Sequence, residues 1–332
     1  MNRKSTTVPF HGPHQAGVAT RAQAHVLLLA YDLPASYDLP AAAALRRLLT
    51  AWSALLADAA AGTSAATELT GADPARLTAT LGVGPTLLRR LGRPLPEGLT
   101  DLPAFDRDAL DPGLCGGDLL VQLCADDVHV LHQTAAALTR LAGARPRWRQ
   151  AGFRQSVRGT PRNLLAFKDG TENPPADDVW LAHGPFAGGT CMVVRRVALD
   201  VPAFTAMPVP EQEAAIGRSL ASGAPLGARL ETDPADLALL PASAHLRVCH
   251  HSHDGGARML RRGYSYAGDR PGDEGLLFIA FMRDLRLFTA MQRRMDAADA
   301  LTPATATRGS AVFAVLPGVA QGGVLGLSPL GL

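Results

Sequence analysis

Two spacings of apolar residues alternate along this chain, and each change of spacing marks a new element. "AHVLLLAYDL" (24–33) is a short apolar run ending in turn residues, which predicts a strand buried on both faces. From Pro40 to about Gly62 the Ala/Leu/Arg spacing turns helical. "TELTGADPARLTATLGVG" predicts a strand or edge segment around a loop, and "GPTLLRRLG" one or two helical turns. Residues 93–117 are a Pro- and Gly-rich connection. "GGDLLVQLCADD" (116–127) predicts a strand and "VHVLHQTAAALTRLAG" a helix. The second half repeats this order. "GGTCMVVRRVAL" (188–199) predicts a strand. "PVPEQEAAIGRSLASG" predicts a helix, opened by Pro210 and two early acids and closed by Gly223. Residues 224–270 are loop-rich, "EGLLFIAFMRD" (274–284) predicts a strand and "RLFTAMQRRMDAAD" a helix. The apolar, Gly-rich end "GGVLGLSPLGL" offers a docking tail or an ordered last strand, with the strand preferred. Strand, helix, loop, strand, helix in each half argues for an α+β chain of two similar units with antiparallel sheets. The boundaries fall as an arm over 1–22, an N-terminal domain over 23–155 and a C-terminal domain over 156–332.

Composition narrows the classes of function. The chain has 332 residues, 47% apolar and 19% charged, with a net charge of +2. Near-neutrality without a Lys/Arg run gives no electrostatic case for nucleic acid, and 5% aromatics gives none for stacking on single strands. No window reaches the roughly 18 apolar residues of a membrane helix. "MNRKSTTVPF" has cations but no apolar stretch behind them, so it is not a complete export signal. The chain is either exported, with a signal already removed, or cytoplasmic. Cys115, Cys124, Cys191 and Cys249 are dispersed and lack CxxC spacing, which predicts buried thiols and excludes a zinc ribbon.

Two stretches carry chemistry. In "NLLAFKDGTENP" (163–174) an apolar run leads into Lys168, one of only two lysines with Lys4, and then into Asp169-Gly170. Asp-Gly alone reads as a solvated turn. Beside an apolar run it also places a carboxylate at a desolvated pocket, where such a group works as an acid–base. Backbone N–H groups of Gly170, Thr171 and Glu172 offer an anion-binding concavity. The second stretch, "HLRVCHHSHDGGARMLRRGYSYAGD" (245–269), holds His245, His250, His251 and His253, four of the ten histidines. Cys249 with His250, His251 and His253 reads either as solvated residues or as a copper or zinc site. His245, inside an apolar alternation, is either a core histidine or an axial ligand on iron. Arg261 and Arg262 are surface cations, or one is half-buried and aimed at an oxyanion.

Taken in order, these segments resemble the dye-decolourising peroxidase family, in its exported branch with the deferrochelatase-like proteins. The resemblance rests on "VPFHGPHQAGVAT", "GGDLLVQLCADD", "RPRWRQAGF", "RNLLAFKDGTENP", "GGTCMVVRRVALD", "VPEQEAAIGRSLASGAPLG", "AHLRVCHH", "MLRRGYSY", "GLLFIAFMRD" and "GSAVFAVLPG". It implies two ferredoxin-like halves and one haem b per chain, held mainly by the C-terminal half. It implies His245 as the axial ligand, Asp169 as the acid–base residue, Arg261 as the charge-stabilising arginine, and Gly170, Thr171, Glu172 and Arg261 as haem contacts. Two positions depart from the family pattern. Ala166 stands where the family has Gly, which demands negative φ and a shifted backbone, and His250-His251-Ser252 replaces Asn-Pro-Arg.

The implied activity is reduction of hydrogen peroxide with one-electron oxidation of bulky organic reductants. The alternative is a haem- or iron-handling protein with little turnover, and a third reading is the copper or zinc site above. A carboxylate behind His245 would strengthen the ligand, with Asp284 as one choice. Trp52, Trp148, Trp180, Tyr264 and Tyr266 serve either core packing or electron relay, with packing preferred. The partners implied are peroxide and small organic reductants, with a homo-oligomer left open.

Overall fold

Strand β1 (His25–Tyr31) shows how the chain builds two cores at once. Val26, Leu28 and Ala30 face one apolar cluster, while Leu27, Leu29 and Tyr31 face another. Both faces are covered, as the uninterrupted apolar run requires. The computed structural model describes residues 7–34, 42–64, 73–143, 145–155, 159–270 and 272–332. Lys4, Pro40, most of the loop before Pro74 and the start of the expected C-terminal domain at 156–158 lie outside the described residues.

The first half runs through α1 (Ala42–Ala61), β2 (Thr78–Val83), α2 (Pro85–Arg90), β3 (Leu119–Ala125), α3 (Val128–Ala142) and β4 (Trp148–Phe153). Its strands lie in the order β2-β3-β1-β4, all antiparallel, the ferredoxin-like arrangement. Helix α1 buries Leu45, Leu48, Leu49, Trp52, Leu55 and Leu56, the helical spacing that covers the outer face of this sheet. The Trp52 indole donates to the Leu138 carbonyl of α3, so the ring is buried with its polar atom satisfied.

The second half comprises β5 (Thr190–Leu199), α4 (Val201–Thr205), α5 (Val209–Ile216), α6 (His245–Val248), β6 (Leu260–Arg261), β7 (Tyr264–Ala267), β8 (Glu274–Met282), α7 (Arg286–Ala298), β9 (Thr305–Val315) and α8 (Leu327–Leu330). Strand β5 pairs with both β9 and β8, and β6 and β7 pair with β8 in one register, as a single strand interrupted at Arg262-Gly263. The order β9-β5-β8-β7 repeats the first half. Two seams then close the sheets into a barrel: Gly82 and Val83 of β2 against Val315 and Ala314 of β9, and Phe153 of β4 against Ser265 of β7. The N-terminal arm reinforces the first seam. The Gln15 side chain donates to the carbonyls of Leu81 and Leu316 and accepts from the Leu81 N–H.

Two expected elements differ. The helix anticipated to Gly223 stops at Ile216, because Gly217 takes a left-handed cap at φ +88 and Arg218 turns inward. The C-terminal segment is the short helix α8 rather than a strand. All four cysteines are free thiols, Cys124 and Cys191 buried and the other two partly exposed. Burial pushes the Cys191 thiol up to about 12, with Asp284 adding to the rise. Trp52, Trp148, Trp180, Tyr264 and Tyr266 are all buried, as core packing requires. Among the described residues no helix is long and apolar enough to cross a membrane.

Candidate active site

The loop that carries Asp169 is organised by Asn163. Its side-chain oxygen accepts from the N–H groups of Leu165 and Phe167 at 3.0 and 3.2 Å, and its own N–H donates to the Phe167 carbonyl. This ring bends the chain so tightly that Ala166 sits at φ +64, in the left-handed region. The expectation of a negative φ at Ala166 is overturned: the backbone keeps a glycine-like conformation and the alanine carries the strain. The Arg162 guanidinium fixes the turn by donating to the carbonyls of Ala166 and Leu220. Leu165 and Phe167 do not roof the carboxylate. They pack with Leu199, Phe204 and Ile216 in a small third core that anchors the loop from below. Lys168 and Thr171 both donate to Glu231, from either side of Asp169.

Asp169 and Arg261 meet in one cavity of about 160 Å³, at the seam where β4 approaches β7. Arg154, just past β4, and Gly263, Tyr264 and Leu276 share its wall. Among the described residues neither the Asp169 carboxylate nor the Arg261 guanidinium makes a hydrogen bond to protein. Gly263 gives Asp169 room: a Cβ in its place would lie 3.3 Å from Asp169 Oδ2 and from Leu276, tight enough to press on both side chains. Arg261 is positioned through its backbone: its N–H donates to Asn173 Oδ1 at 2.9 Å and its carbonyl accepts from Asn173 Nδ2 at 2.8 Å. Its neighbour Arg262 is buried and donates to the Thr20 carbonyl and Gln23, so it holds the arm and takes no part in the cavity. Arg154 was not singled out from sequence. Its guanidinium lies over the Tyr264 ring, and burial lowers its pKa while Tyr264 and Asp169 pull it back up.

His245 opens α6, and its Nδ1–H donates to Asp299 Oδ2 at 2.6 Å. Asp299 caps the end of α7, its side chain is fully buried, and its other oxygen accepts from the Leu301 N–H. Burial pulls the His245 pKa down, but Cys249 and Asp299 outweigh it and raise it well above the usual histidine range. Asp299, not Asp284, is therefore the carboxylate behind the imidazole; Asp284 is bound to Arg286 instead. His245 is not among the residues lining the Asp169 cavity. The two loops meet at Glu172, which ion-pairs with Arg218 and lies beside His250 and His251. The predicted Cys249–His250–His251–His253 cluster divides in space. Cys249 Sγ lies 3.7 Å from His245 Nδ1, and His253 Nε2 donates to the Arg247 carbonyl.

These residues fit the implied haem. His245 Nδ1 is engaged by a carboxylate while Nε2 makes no hydrogen bond among the described residues, which leaves Nε2 to give up its proton for iron. Gly170, at φ +101, has nothing within 4 Å of where a Cβ would stand, so the loop is open on that side.

The comparisons with known proteins agree. Family models described as "Dyp-type peroxidase, N-terminal" and "Dyp-type peroxidase, C-terminal" match residues 15–154 and 160–320. A dye-decolorizing peroxidase of Thermobifida fusca is 37% identical over 94% of this chain and 82% of its own length. A deferrochelatase of Yersinia pestis is 34% identical over the same shares. A crystal structure of a DyP-type peroxidase from Cellulomonas bogoriensis superposes with a TM-score of 0.91 at 37% identity, covering 98% of each chain. An oxyferrous complex of DtpA from Streptomyces lividans gives a TM-score of 0.91 at 34% identity over 98% of each chain. The chain belongs to the Dyp-type peroxidase family, whose members are haem-dependent peroxidases.

Proposed function

We propose that this chain binds one haem b, reduces hydrogen peroxide, and oxidises bulky dye-like or phenolic reductants by one-electron steps. One observation carries the reading: Asp169 and Arg261 line a single cavity, and among the described residues neither side-chain charged group makes a hydrogen bond to protein. When bound, haem supplies an iron that takes up peroxide and holds the two oxidising equivalents. His245 would hold that group through Nε2, and Gly170, Thr171 and Glu172 would contact it. Asp299 keeps the Nδ1 proton donated away from the ligand nitrogen.

Peroxide must lose a proton from one oxygen and gain one on the other before its O–O bond breaks. The Asp169 carboxylate takes the first proton and returns it to the far oxygen, so one positioned group performs both transfers. Arg261 stabilises the negative charge that builds on the leaving oxygen, an effect worth about 3 kcal/mol. The cavity of about 160 Å³ admits peroxide, and a second of about 320 Å³ shares Arg154, Asn173 and Arg261 with it.

Stopped-flow absorption tests the reading. Asp169→Ala and Arg261→Ala should slow the spectral change that follows peroxide addition by about 10²-fold or more, with haem content unchanged. His245→Ala should lose haem. Normal haem ligation in His245→Ala would refute it.

A second reading is kept because relatives named deferrochelatase match the same 94% of the chain. In that case the chain releases iron from haem and turns over peroxide poorly. Anthraquinone-dye turnover against iron release, measured on one preparation, separates the two.

A further inference from the structure

His250 and His251 are the part of the histidine cluster that the haem site does not use. They adjoin Glu172, three residues after Asp169, and the ligand atoms of all three lie within 4.8 Å of one another. We propose that Glu172, His250 and His251 bind one divalent first-row transition-metal ion, separate from the haem iron. Two imidazoles and one carboxylate select borderline ions such as Zn²⁺ over Mg²⁺ or Ca²⁺.

The surrounding contacts prepare each donor. His250 Nδ1 accepts from the Ser252 N–H at 3.3 Å and lies 2.8 Å from its hydroxyl, which orients the ring; for Nε2 to take the ion, the ring proton moves to Nδ1 and is donated to that hydroxyl. Arg218 holds Glu172 Oε1 at 2.9 Å, so the carboxylate is fixed with Oε2 to spare. The Arg258 guanidinium sits 3.2 Å from His251 Nε2. Because a guanidinium can only donate, that nitrogen presents a lone pair. Arg258 is exposed and can swing clear, whereas Arg218 is buried and stays. Ligand bonds of about 2.1 Å place tetrahedral donors roughly 3.4 Å apart, so side-chain rotations of about an ångström close the site. The ion would tie the loop after Asp169 to the loop after His245.

The proposal does not rest on the peroxidase reading, since binding is measured without turnover. Zn²⁺ is titrated calorimetrically into the haem-loaded protein, and metal content is measured after gel filtration. The expected result is one Zn²⁺ per chain in addition to iron. Glu172→Gln and His251→Ala should each weaken binding at least tenfold. His253→Ala should leave it unchanged. Arg258→Ala should tighten it severalfold, a gain that damage to the fold cannot imitate. His251→Ala leaves the Arg218 ion pair intact, so a folding defect in Glu172→Gln does not remove the test. No Zn²⁺ binding, equal affinity in Glu172→Gln and His251→Ala, or loss in His253→Ala would each overturn the proposal.

Discussion

Replacing Asp299 tests how the chain sets the strength of His245, the histidine we propose as the axial ligand. The carboxylate receives the His245 Nδ1–H at 2.6 Å and the Leu301 N–H at 2.8 Å, and with no side-chain exposure it leaves no route for water to substitute. A hydrogen bond to a buried charged group contributes about 1.5–3 kcal/mol net. Independently, the partner of a ligating histidine is worth about 10–100-fold in affinity, or roughly 1.4–2.7 kcal/mol at 1.36 kcal/mol per decade. The two routes agree. Asp299→Asn should therefore weaken haem binding about 10–100-fold and raise the ferric/ferrous midpoint potential, because a less basic imidazole stabilises the ferric state less. Asp299→Ala should do more. The assays are Soret titration of haem into the apoprotein and spectroelectrochemistry. Asp284→Asn is the control, since its side-chain hydrogen bonds among the described residues go to Arg286 and neither quantity should move. Unchanged haem affinity and potential in Asp299→Asn would show that the contact is packing and that the argument is wrong.

Three further outcomes are expected. Ala166→Gly relieves a left-handed alanine worth about 1–2 kcal/mol and returns about 0.5–1 kcal/mol to the unfolded chain, so urea unfolding should show a net gain of about 0.5–1 kcal/mol. Glu231→Gln should cost about 1 kcal/mol near neutral pH, because it removes the charged partner of Lys168 and Thr171. Burial raises the Glu231 pKa, but hydrogen bonds from Lys168, Thr160 and Thr171 outweigh it and depress it. The contribution is thus present above the ordinary glutamate range and disappears as pH falls through the depressed value. Unfolding at pH 7, 5, 4 and 3 should show the wild-type advantage shrinking below about pH 4, and a constant difference would contradict the assignment. Asn173→Ala removes both hydrogen bonds to the Arg261 backbone. It should lower kcat/KM for peroxide while haem content and its ligation spectrum stay as they were.

Much of this architecture is visible in the pattern of the chain, and the parts that are not share a cause. Strands such as His25–Tyr31 and Thr190–Leu199 are apolar on both faces, and helices such as Val128–Ala142 are bounded by an Asp cap and a Gly, so local chemistry declares them. The closure of the barrel was hidden because its seams are two residue pairs and one residue pair long, between strands far apart in sequence. The end of α5 was misplaced because Gly217 and Gly223 are both plausible stops, and only the inward turn of Arg218 chooses between them. The motifs single out Asp169, Arg261 and His245, yet they could not show that Asn173 clamps the Arg261 backbone or that Arg154 enters from the other half. Asp299 was missed in favour of the nearer Asp284. One signal was available: an acid at the C-terminal end of a helix opposes the helix dipole, so Asp299 after α7 called for a reason to be there.

The Gln15 patch also fixes when the molecule can be completed. It spans β2 and the residue after β9, and neighbouring arm residues bond to Val319 and Gly318 through Gly12 and Pro13. Gln15 is thus stitched to Leu316, 301 positions later in the chain. A nascent chain can shape its first ferredoxin-like half on the ribosome, but this arm segment must wait, unplaced, until residues 316–319 have been made.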